Sequence, residues 1–255
     1  MPELAANGLR FAYLTEGEGP PLVLLHAATS SATEDWAAQR PLLRQHFTLY
    51  LPDARGHAGT RWDTDGGWSH RMLVEDLVAF VDGLGLERFC VAGLSMGAGT
   101  ALAFAMLHPE RVRSAVLAAV GVEPEPRNSV ARRLMDPERL ERDDPAWAAR
   151  LARRHDPVQG EGAWRKLLLA IRDDILAQRH PQPEELLRAR VPVLLACGDR
   201  DPWLPLEQAV RLQRQLPDAR LFVAPGVGHV IVAERPSLFN QAMLQFLRSS
   251  EAGHD

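Results

Sequence analysis

The sequence has few cysteines and no long apolar run. Only two cysteines occur among 255 residues, which argues against a small secreted scaffold held together by disulfides. No apolar run approaches the roughly 18 residues of a membrane-spanning helix, and the first residues lack the basic and apolar segments of a secretory signal. We therefore expect a cytoplasmic protein that does not bind a membrane.

A strong charge of one sign is also missing. The chain carries 29 basic and 33 acidic residues, a net charge of -4, so it lacks the excess of positive charge that attracts nucleic acid. Cys90 and Cys197 both lie in apolar runs, where a small thiol packs well in a core. No spacing of ligand residues suggests a metal site. A small molecule is the expected partner, and whether copies of the chain form a homo-oligomer stays open.

Short apolar runs alternate with longer amphipathic patterns along most of the chain. That alternation is typical of an α/β protein whose parallel sheet is joined by crossover helices. Several of the runs are apolar on both faces, as buried parallel strands are. The strand-like runs cover residues 10–15, 22–26, 48–52, 89–92, 114–119, 193–198 and 220–224.

Residues 123–185 interrupt this alternation, because they contain no strand-like run. Their apolar spacings predict several short helices with a buried face, separated by prolines and glycines, and a disordered linker is the alternative. We predict a helical cap over residues 123–185, inserted in a core domain formed by residues 1–122 and 186–255. The cap candidates for lining a substrate pocket are Met135, Trp147, Trp164 and Leu168.

A serine flanked by glycines follows one of the strand-like runs. In the stretch Gly93-Leu94-Ser95-Met96-Gly97, the glycines allow the sharp turn that would expose the serine hydroxyl at the start of a helix. The helix N-terminus would also direct N–H groups toward a developing oxyanion. Ser95 could equally be a helix N-cap, since serine is favoured there. The motif alone leaves both roles open, because a serine nucleophile requires a base.

Two later loops supply a base and an acid in the order Ser, Asp, His that this kind of fold uses. The loop after residues 193–198 contains Asp199 and Asp201, and His229 follows the last strand-like run. All these positions lie just after strands, where ligands bind in open α/β sheets. The sequence therefore predicts that Ser95 is the nucleophile and His229 the base, oriented by an aspartate.

With these motifs the chain resembles the α/β-hydrolase superfamily over nearly its whole length, and small carboxylesterases and 3-oxoadipate enol-lactonase-like hydrolases in particular. The resemblance implies a mostly parallel central sheet flanked by helices, with a small helical cap after the sixth strand. It implies that Asp201, the second aspartate of "GDRDP", orients His229, while Asp199 shapes the loop. Glu234 and Pro236 of "GHVIVAERP" are expected to begin the final helix.

The resemblance also implies an oxyanion hole formed by two backbone N–H groups. Met96, directly after the serine, supplies the first. The family usually has His-Gly-X after its third strand, where this chain has His26-Ala27-Ala28. Ala28 matches the second donor, although alanine in place of glycine leaves Ala27 as the alternative. Ala58 likewise replaces a glycine of the family's "DxRGxGxS" turn.

A serine at the nucleophile position argues against relatives that use aspartate, such as haloalkane dehalogenases and epoxide hydrolases. We expect a serine hydrolase that cleaves a small or medium carboxylic ester or lactone through an acyl-enzyme, with no cofactor. Two alternatives stay open. One is an enol-lactonase or carbon-carbon bond hydrolase of aromatic catabolism, and the other is a hydrolase-like ligand sensor with slow turnover.

Overall fold

A computed structural model describes residues 1–251, and the strands in this part of the chain form one sheet of eight. Its spatial order is β1-β2-β4-β3-β5-β6-β7-β8. The first two strands are antiparallel to their neighbours, whereas β3 to β8 run parallel. The mostly parallel sheet predicted from the sequence is thereby confirmed. The strands are β1 (Glu3–Ala6), β2 (Leu9–Glu16), β3 (Pro21–Leu25), β4 (Thr48–Pro52), β5 (Phe89–Leu94), β6 (Val112–Ala118), β7 (Val193–Gly198) and β8 (Ala219–Ala224).

The sequence prediction missed the edge strand β1. This strand pairs with β2 in a hairpin whose register places Ala6 opposite Leu9. Asn7 and Gly8 form the turn with φ of 48° and 72°, the two positive values that a tight hairpin turn of this kind requires. The Asn-Gly dipeptide was the available signal for this turn. The strand itself gave a weak signal, because β1 is only four residues long.

Helices cover both faces of the sheet. Residues alternate along β5, so that Val91 packs on one face with α3 (His70–Gly83) and α4 (Met96–Leu107), while Cys90 and Ala92 pack on the other with α12 (Pro236–Glu251). The helices are α1 (Ala32–Asp35), α2 (Arg40–Leu43), α3 (His70–Gly83), α4 (Met96–Leu107), α5 (Arg127–Leu134), α6 (Pro137–Asp143), α7 (Pro145–Gln159), α8 (Ala163–Ala177), α9 (Pro183–Leu186), α10 (Leu206–Gln215), α11 (Ile231–Glu234) and α12 (Pro236–Glu251).

Helices α5 to α9 lie between β6 and β7, in the part of the chain where the sequence predicted a cap. Helices α5 to α8 share an apolar cluster, which includes Leu151 and Leu167, whereas Leu186 of α9 packs with the core of the sheet. The Asp136 and Asp144 side chains accept hydrogen bonds from the first turns of α6 and α7, as N-cap residues do. These helices are ordered by local capping and by a shared core, and the division of the chain into domains at residues 123 and 185 stays a prediction.

Both cysteines are buried and free of disulfides, as their apolar surroundings in the sequence indicated. Burial raises the pKa of the Cys197 thiol to about 11, so this thiol stays protonated near neutral pH. Among residues 1–251, we find no helix whose length and apolar content would let it cross a membrane.

Candidate active site

Ser95 lies in a tight turn between β5 and α4. Its φ of 51° and ψ of -109° are unfavourable for any residue except glycine. Its N–H donates to the Ala118 carbonyl oxygen at 2.8 Å. A Cβ on Gly93 would lie 2.3 Å from the Gly97 carbonyl carbon, and a Cβ on Gly97 would lie 2.4 Å from the Leu25 oxygen. The glycines are therefore required by close backbone contact on both sides of the serine.

The Ser95 hydroxyl does not cap the helix. Ser95 occupies the N-cap position of α4, yet its side chain makes no capping hydrogen bond. Its Oγ instead lies 2.9 Å from Nε2 of His229, whose Nδ1 lies 2.8 Å from Oδ2 of Asp201. The Asp201 side chain is fully buried, and that of His229 is 19% exposed. The fold thus joins the three predicted residues in one hydrogen-bonded chain.

The two aspartates after β7 have different partners. Asp201 directs Oδ2 at His229, while its Oδ1 accepts two backbone N–H groups of its own loop at 2.8 and 3.3 Å. Asp199 has other partners, since its Oδ1 accepts two backbone N–H groups of the loop after β8 at 2.6 and 3.2 Å. Asp199 therefore joins the two loops, and Asp201 is the carboxylate that contacts the histidine.

Glu234 holds the loop that carries His229, a role that the sequence analysis missed. Its carboxylate accepts the N–H groups of Gly228 at 2.9 Å and Val230 at 3.2 Å, on either side of the histidine. The expectation that Glu234 begins the final helix was wrong, because it ends α11, whereas Pro236 begins α12. A carboxylate is a strong acceptor for backbone N–H groups, so these two bonds restrain the backbone that positions the imidazole.

Ala27 and Ala28, the two candidates for the second oxyanion-hole donor, differ in the hydrogen bonding of their N–H groups. The N–H of Ala27 donates to Oδ2 of the buried Asp35 at 2.7 Å, whereas within residues 1–251 the N–H of Ala28 has no protein acceptor. The Met96 N–H, in the first turn of α4, has no intrahelical partner. The positive φ that a glycine would favour falls on Thr29, at 64°. Ala28 and Met96 are thus the available donors.

Two buried histidines hold the strained Thr29 from both sides. Nε2 of His57 lies 3.3 Å from the Thr29 N–H, and Nε2 of His155 lies 3.2 Å from the Thr29 oxygen. Nδ1 of His155 accepts the N–H of Ala58, which adopts φ of 40° in place of the family's glycine. Burial lowers the pKa of His57 well below its usual value and that of His155 to about 4. Both rings are therefore neutral near pH 7, and His155 of helix α7 contacts the loop that contains Ala28 and Thr29.

Ser95, Met96 and His229 line a cavity of about 620 Å³. Trp68 and Trp203 form part of its wall, and the Trp203 ring packs 5.6 Å from the imidazole of His229. Neither tryptophan was predicted from the sequence to line a pocket, although Trp203 directly follows the "GDRDP" motif. Such a concave, largely apolar space beside polar groups is typical of a small-molecule site.

Two of the four residues that the sequence predicted to line a substrate pocket lie at the wall of this cavity. Met135 and Trp147 line the cavity, whereas Trp164 and Leu168 do not. Trp164 and Leu168, which are 4% and 0% exposed, pack within the apolar cluster of helices α5 to α8. An apolar stripe on a helix identifies a buried face but not the neighbour that covers it.

The sequence profile of the alpha/beta hydrolase family matches residues 22–242. The chain is 28% identical to the 2-hydroxymuconate semialdehyde hydrolase of Pseudomonas putida, over 99% of this chain and 95% of the relative. The crystal structure of the enol-lactonase from Burkholderia xenovorans LB400 is similar, with 25% identity, a TM-score of 0.78, and coverage of 97% of this chain and 100% of that one.

A solved structure described as an N-acyl homoserine lactone degrading enzyme is also similar, with 25% identity and a TM-score of 0.76. The alignment covers 96% of this chain and 100% of that one. The profile match spans most of the chain and agrees with the sheet order, so it confirms the resemblance indicated by the motifs. The chain belongs to the alpha/beta hydrolase family and is a hydrolase.

Proposed function

We propose that this hydrolase cleaves small or medium carboxylic esters or lactones through an acyl-enzyme on Ser95. The observation that carries the proposal is the hydrogen-bonded chain from Ser95 Oγ to His229 Nε2 at 2.9 Å and from His229 Nδ1 to Asp201 Oδ2 at 2.8 Å. A serine hydroxyl becomes an effective nucleophile when an adjacent base accepts its proton and a third group orients that base.

In the acylation step, His229 Nε2 accepts the proton of Ser95 as Oγ attacks the acyl carbon. Asp201 stabilises the imidazolium through the hydrogen bond at Nδ1, without taking the proton. The N–H groups of Met96 and Ala28 bind the oxyanion of the tetrahedral intermediate. When that intermediate collapses, the bond to the alcohol oxygen breaks and His229 protonates the leaving alcohol.

Deacylation repeats the same roles with water as the nucleophile. His229 accepts a proton from the water as it attacks the acyl-enzyme, and the same two N–H groups bind the second oxyanion. Collapse releases the acid, and the proton returns from His229 to Ser95. Every proton moves through His229, so the scheme requires no cofactor.

The size of the cavity supports a substrate of small or medium size. Its volume of about 620 Å³ lies in the middle of the roughly 300–1,000 Å³ typical of small-molecule sites. Lactones are included because two similar solved structures are described as an enol-lactonase and a lactone-degrading enzyme. A lactone is an internal ester, so the same attack opens its ring and leaves the alcohol on the acyl chain.

The test is turnover of short-chain and medium-chain p-nitrophenyl esters and simple lactones by the wild type and Ser95→Ala. We expect loss of the nucleophile to lower kcat by about 10⁶-fold, with an unchanged circular dichroism spectrum. A fluorophosphonate probe should label the wild type and not the variant. Equal turnover of the esters by both proteins would refute the proposal.

A further inference from the structure

Thr29 has a strained backbone and directly follows Ala28, the available oxyanion-hole donor. Its φ of 64° lies in the left-handed region, which a β-branched residue rarely adopts. Such a conformation persists only where the surrounding structure holds it from several sides. The residues that hold Thr29 therefore also fix the backbone beside the Ala28 N–H.

Backbone contacts determine which ring nitrogen of His155 carries the proton. Nδ1 lies 3.0 Å from the backbone nitrogen of Ala58 and accepts its N–H. A neutral imidazole that accepts at one nitrogen donates at the other, and burial keeps this ring neutral by lowering its pKa to about 4. Nε2 therefore carries the proton and donates it to the Thr29 carbonyl oxygen at 3.2 Å.

Two further side chains hold the backbone of Thr29. Nδ1 of His57 donates to the Arg55 carbonyl oxygen at 3.0 Å, so Nε2 of that ring accepts the Thr29 N–H at 3.3 Å. Nη1 of Arg154 donates to the Thr29 carbonyl oxygen, as His155 does. Arg154 and His155 are consecutive residues of helix α7. This helix therefore supplies two donors to one backbone oxygen of the loop.

The backbone of Thr29 controls the position of the Ala28 N–H. Peptide units are planar, so only a few φ and ψ rotations separate that N–H from the Thr29 carbonyl. On the other side, the Ala27 oxygen accepts a hydrogen bond from Nδ1 of His26 at 2.7 Å. Release of the Thr29 carbonyl would let its φ relax to negative values, and this rotation would displace Ala28. A donor of an oxyanion hole acts at about 2.7–3.1 Å from the oxyanion, so a small displacement weakens it.

We propose that His155 is a positioning residue for the oxyanion hole, which holds the Ala28 N–H toward the oxyanion at Ser95 through the Thr29 carbonyl. The inference rests on the proposed ester hydrolysis and adds a residue of helix α7 to it. His155 is buried and, within residues 1–251, is not part of the cavity wall. Its loss should lower kcat and leave KM nearly unchanged, because the oxyanion forms only as the reaction proceeds.

The test replaces His155 by phenylalanine, which keeps an aromatic ring against His57 and removes both hydrogen bonds. We expect kcat for a p-nitrophenyl ester to fall by about 10- to 100-fold, since misplacing a group by about 1 Å can cost that much, while KM changes by less than about threefold. His155→Gln should recover most of the lost kcat, because its amide offers one acceptor and one donor, as the neutral imidazole does. A wild-type kcat in His155→Phe would overturn the inference.

Gln159→Leu is the matched control, because Gln159 lies on the same helix and has different partners. Its Oε1 accepts the Trp62 N–H at 3.0 Å, and its Nε2 donates to the Thr60 carbonyl oxygen at 2.8 Å. Both Gln159→Leu and His155→Phe remove two hydrogen bonds between α7 and the core domain, so both should lower the melting temperature. The kcat of Gln159→Leu should stay within about threefold of the wild-type value. An equal loss of kcat in the two variants would overturn the inference.

Inhibition by a trifluoromethyl ketone tests the oxyanion hole itself, because its adduct with Ser95 carries an oxyanion. We expect His155→Phe to raise the inhibition constant of the ketone by about the factor by which kcat/KM falls, and that of the alcohol of equal chain length by less than about threefold. Equal changes for both inhibitors would overturn the inference. If His155→Phe does not fold, Arg154→Met, which removes the other donor to Thr29, is measured instead, and an unchanged ratio of the two constants overturns it.

Crystal structures of the wild type and His155→Phe separate this inference from the proposed function. We expect a positive φ at Thr29 in the wild type and a negative one in the variant. If the wild type hydrolyses no ester but Thr29 changes in this way, the ester proposal fails and the role of His155 in holding the loop stands. If esters are hydrolysed and both kcat and the Thr29 backbone are unchanged in the variant, the role of His155 is refuted alone.

Discussion

Replacing Asp201 by asparagine should invert the hydrogen bond that orients His229. Oδ1 of Asp201 accepts two backbone N–H groups, at 2.8 and 3.3 Å, and in asparagine only the carbonyl oxygen can accept them. The amide nitrogen must then take the position of Oδ2, which lies 2.8 Å from Nδ1 of His229. That NH₂ group donates to Nδ1, whereas the native carboxylate accepts from it.

The inverted hydrogen bond places the imidazole proton on Nε2 of His229. Nε2 lies 2.9 Å from Oγ of Ser95, so the protonated nitrogen would point at the hydroxyl whose proton it accepts in the proposed mechanism. The substitution also removes the negative charge that stabilises the imidazolium. The same change in a serine protease triad lowers kcat by about 10⁴-fold, or roughly 5.5 kcal/mol in activation free energy, and we expect a loss of this size for Asp201→Asn.

Asp199→Asn provides the matched control in the same loop. Oδ1 of Asp199 accepts two backbone N–H groups, and an asparagine carbonyl oxygen can replace it, so kcat should fall by less than about tenfold. Both variants should be assayed with a p-nitrophenyl ester and checked for folding by circular dichroism. The proposed role of Asp201 is refuted if Asp199→Asn has the lower kcat, or if the kcat of Asp201→Asn stays within tenfold of the wild-type value.

Two further predictions concern stability. Burial lowers the pKa of His70 and of His155 from the ordinary 6.5 to about 4 in the folded protein, so the unfolded chain takes up protons first as pH falls. The free energy of unfolding should therefore decline from about pH 6.5 to about pH 4. His155→Gln should reduce this decline, measured by urea titration at each pH. An equal decline in the wild type and the variant would contradict the prediction. Ala58→Gly should raise the melting temperature by about 3 °C in calorimetry, since φ of 40° favours glycine by about 1 kcal/mol. A lower melting temperature would contradict the assigned strain.

Local sequence signals predicted most of the core elements correctly. Three of these signals involve only neighbours within a few residues: the apolar run of β5, the glycines around Ser95 and the apolar spacing of α4. Signals this local can be recognised in a single sequence. The hairpin at Asn7-Gly8 carried an equally local signal that was overlooked. Glu234 was misplaced because its two hydrogen bonds depend on how the loop around His229 folds back.

The sequence by itself determined the alternating architecture, the position of a helical segment between two strands and the order of the serine, acid and base motifs, because periodicity and turn chemistry act over short distances. Only the tertiary structure decided which of the two alanines donates its N–H to another residue within residues 1–251, since that depends on the contact of Asp35 with Ala27. It also decided which apolar cap residues face the cavity, and it brought His155 of helix α7 to the Thr29 carbonyl oxygen. These outcomes depend on contacts between distant segments, and no local pattern records which partners folding brings together.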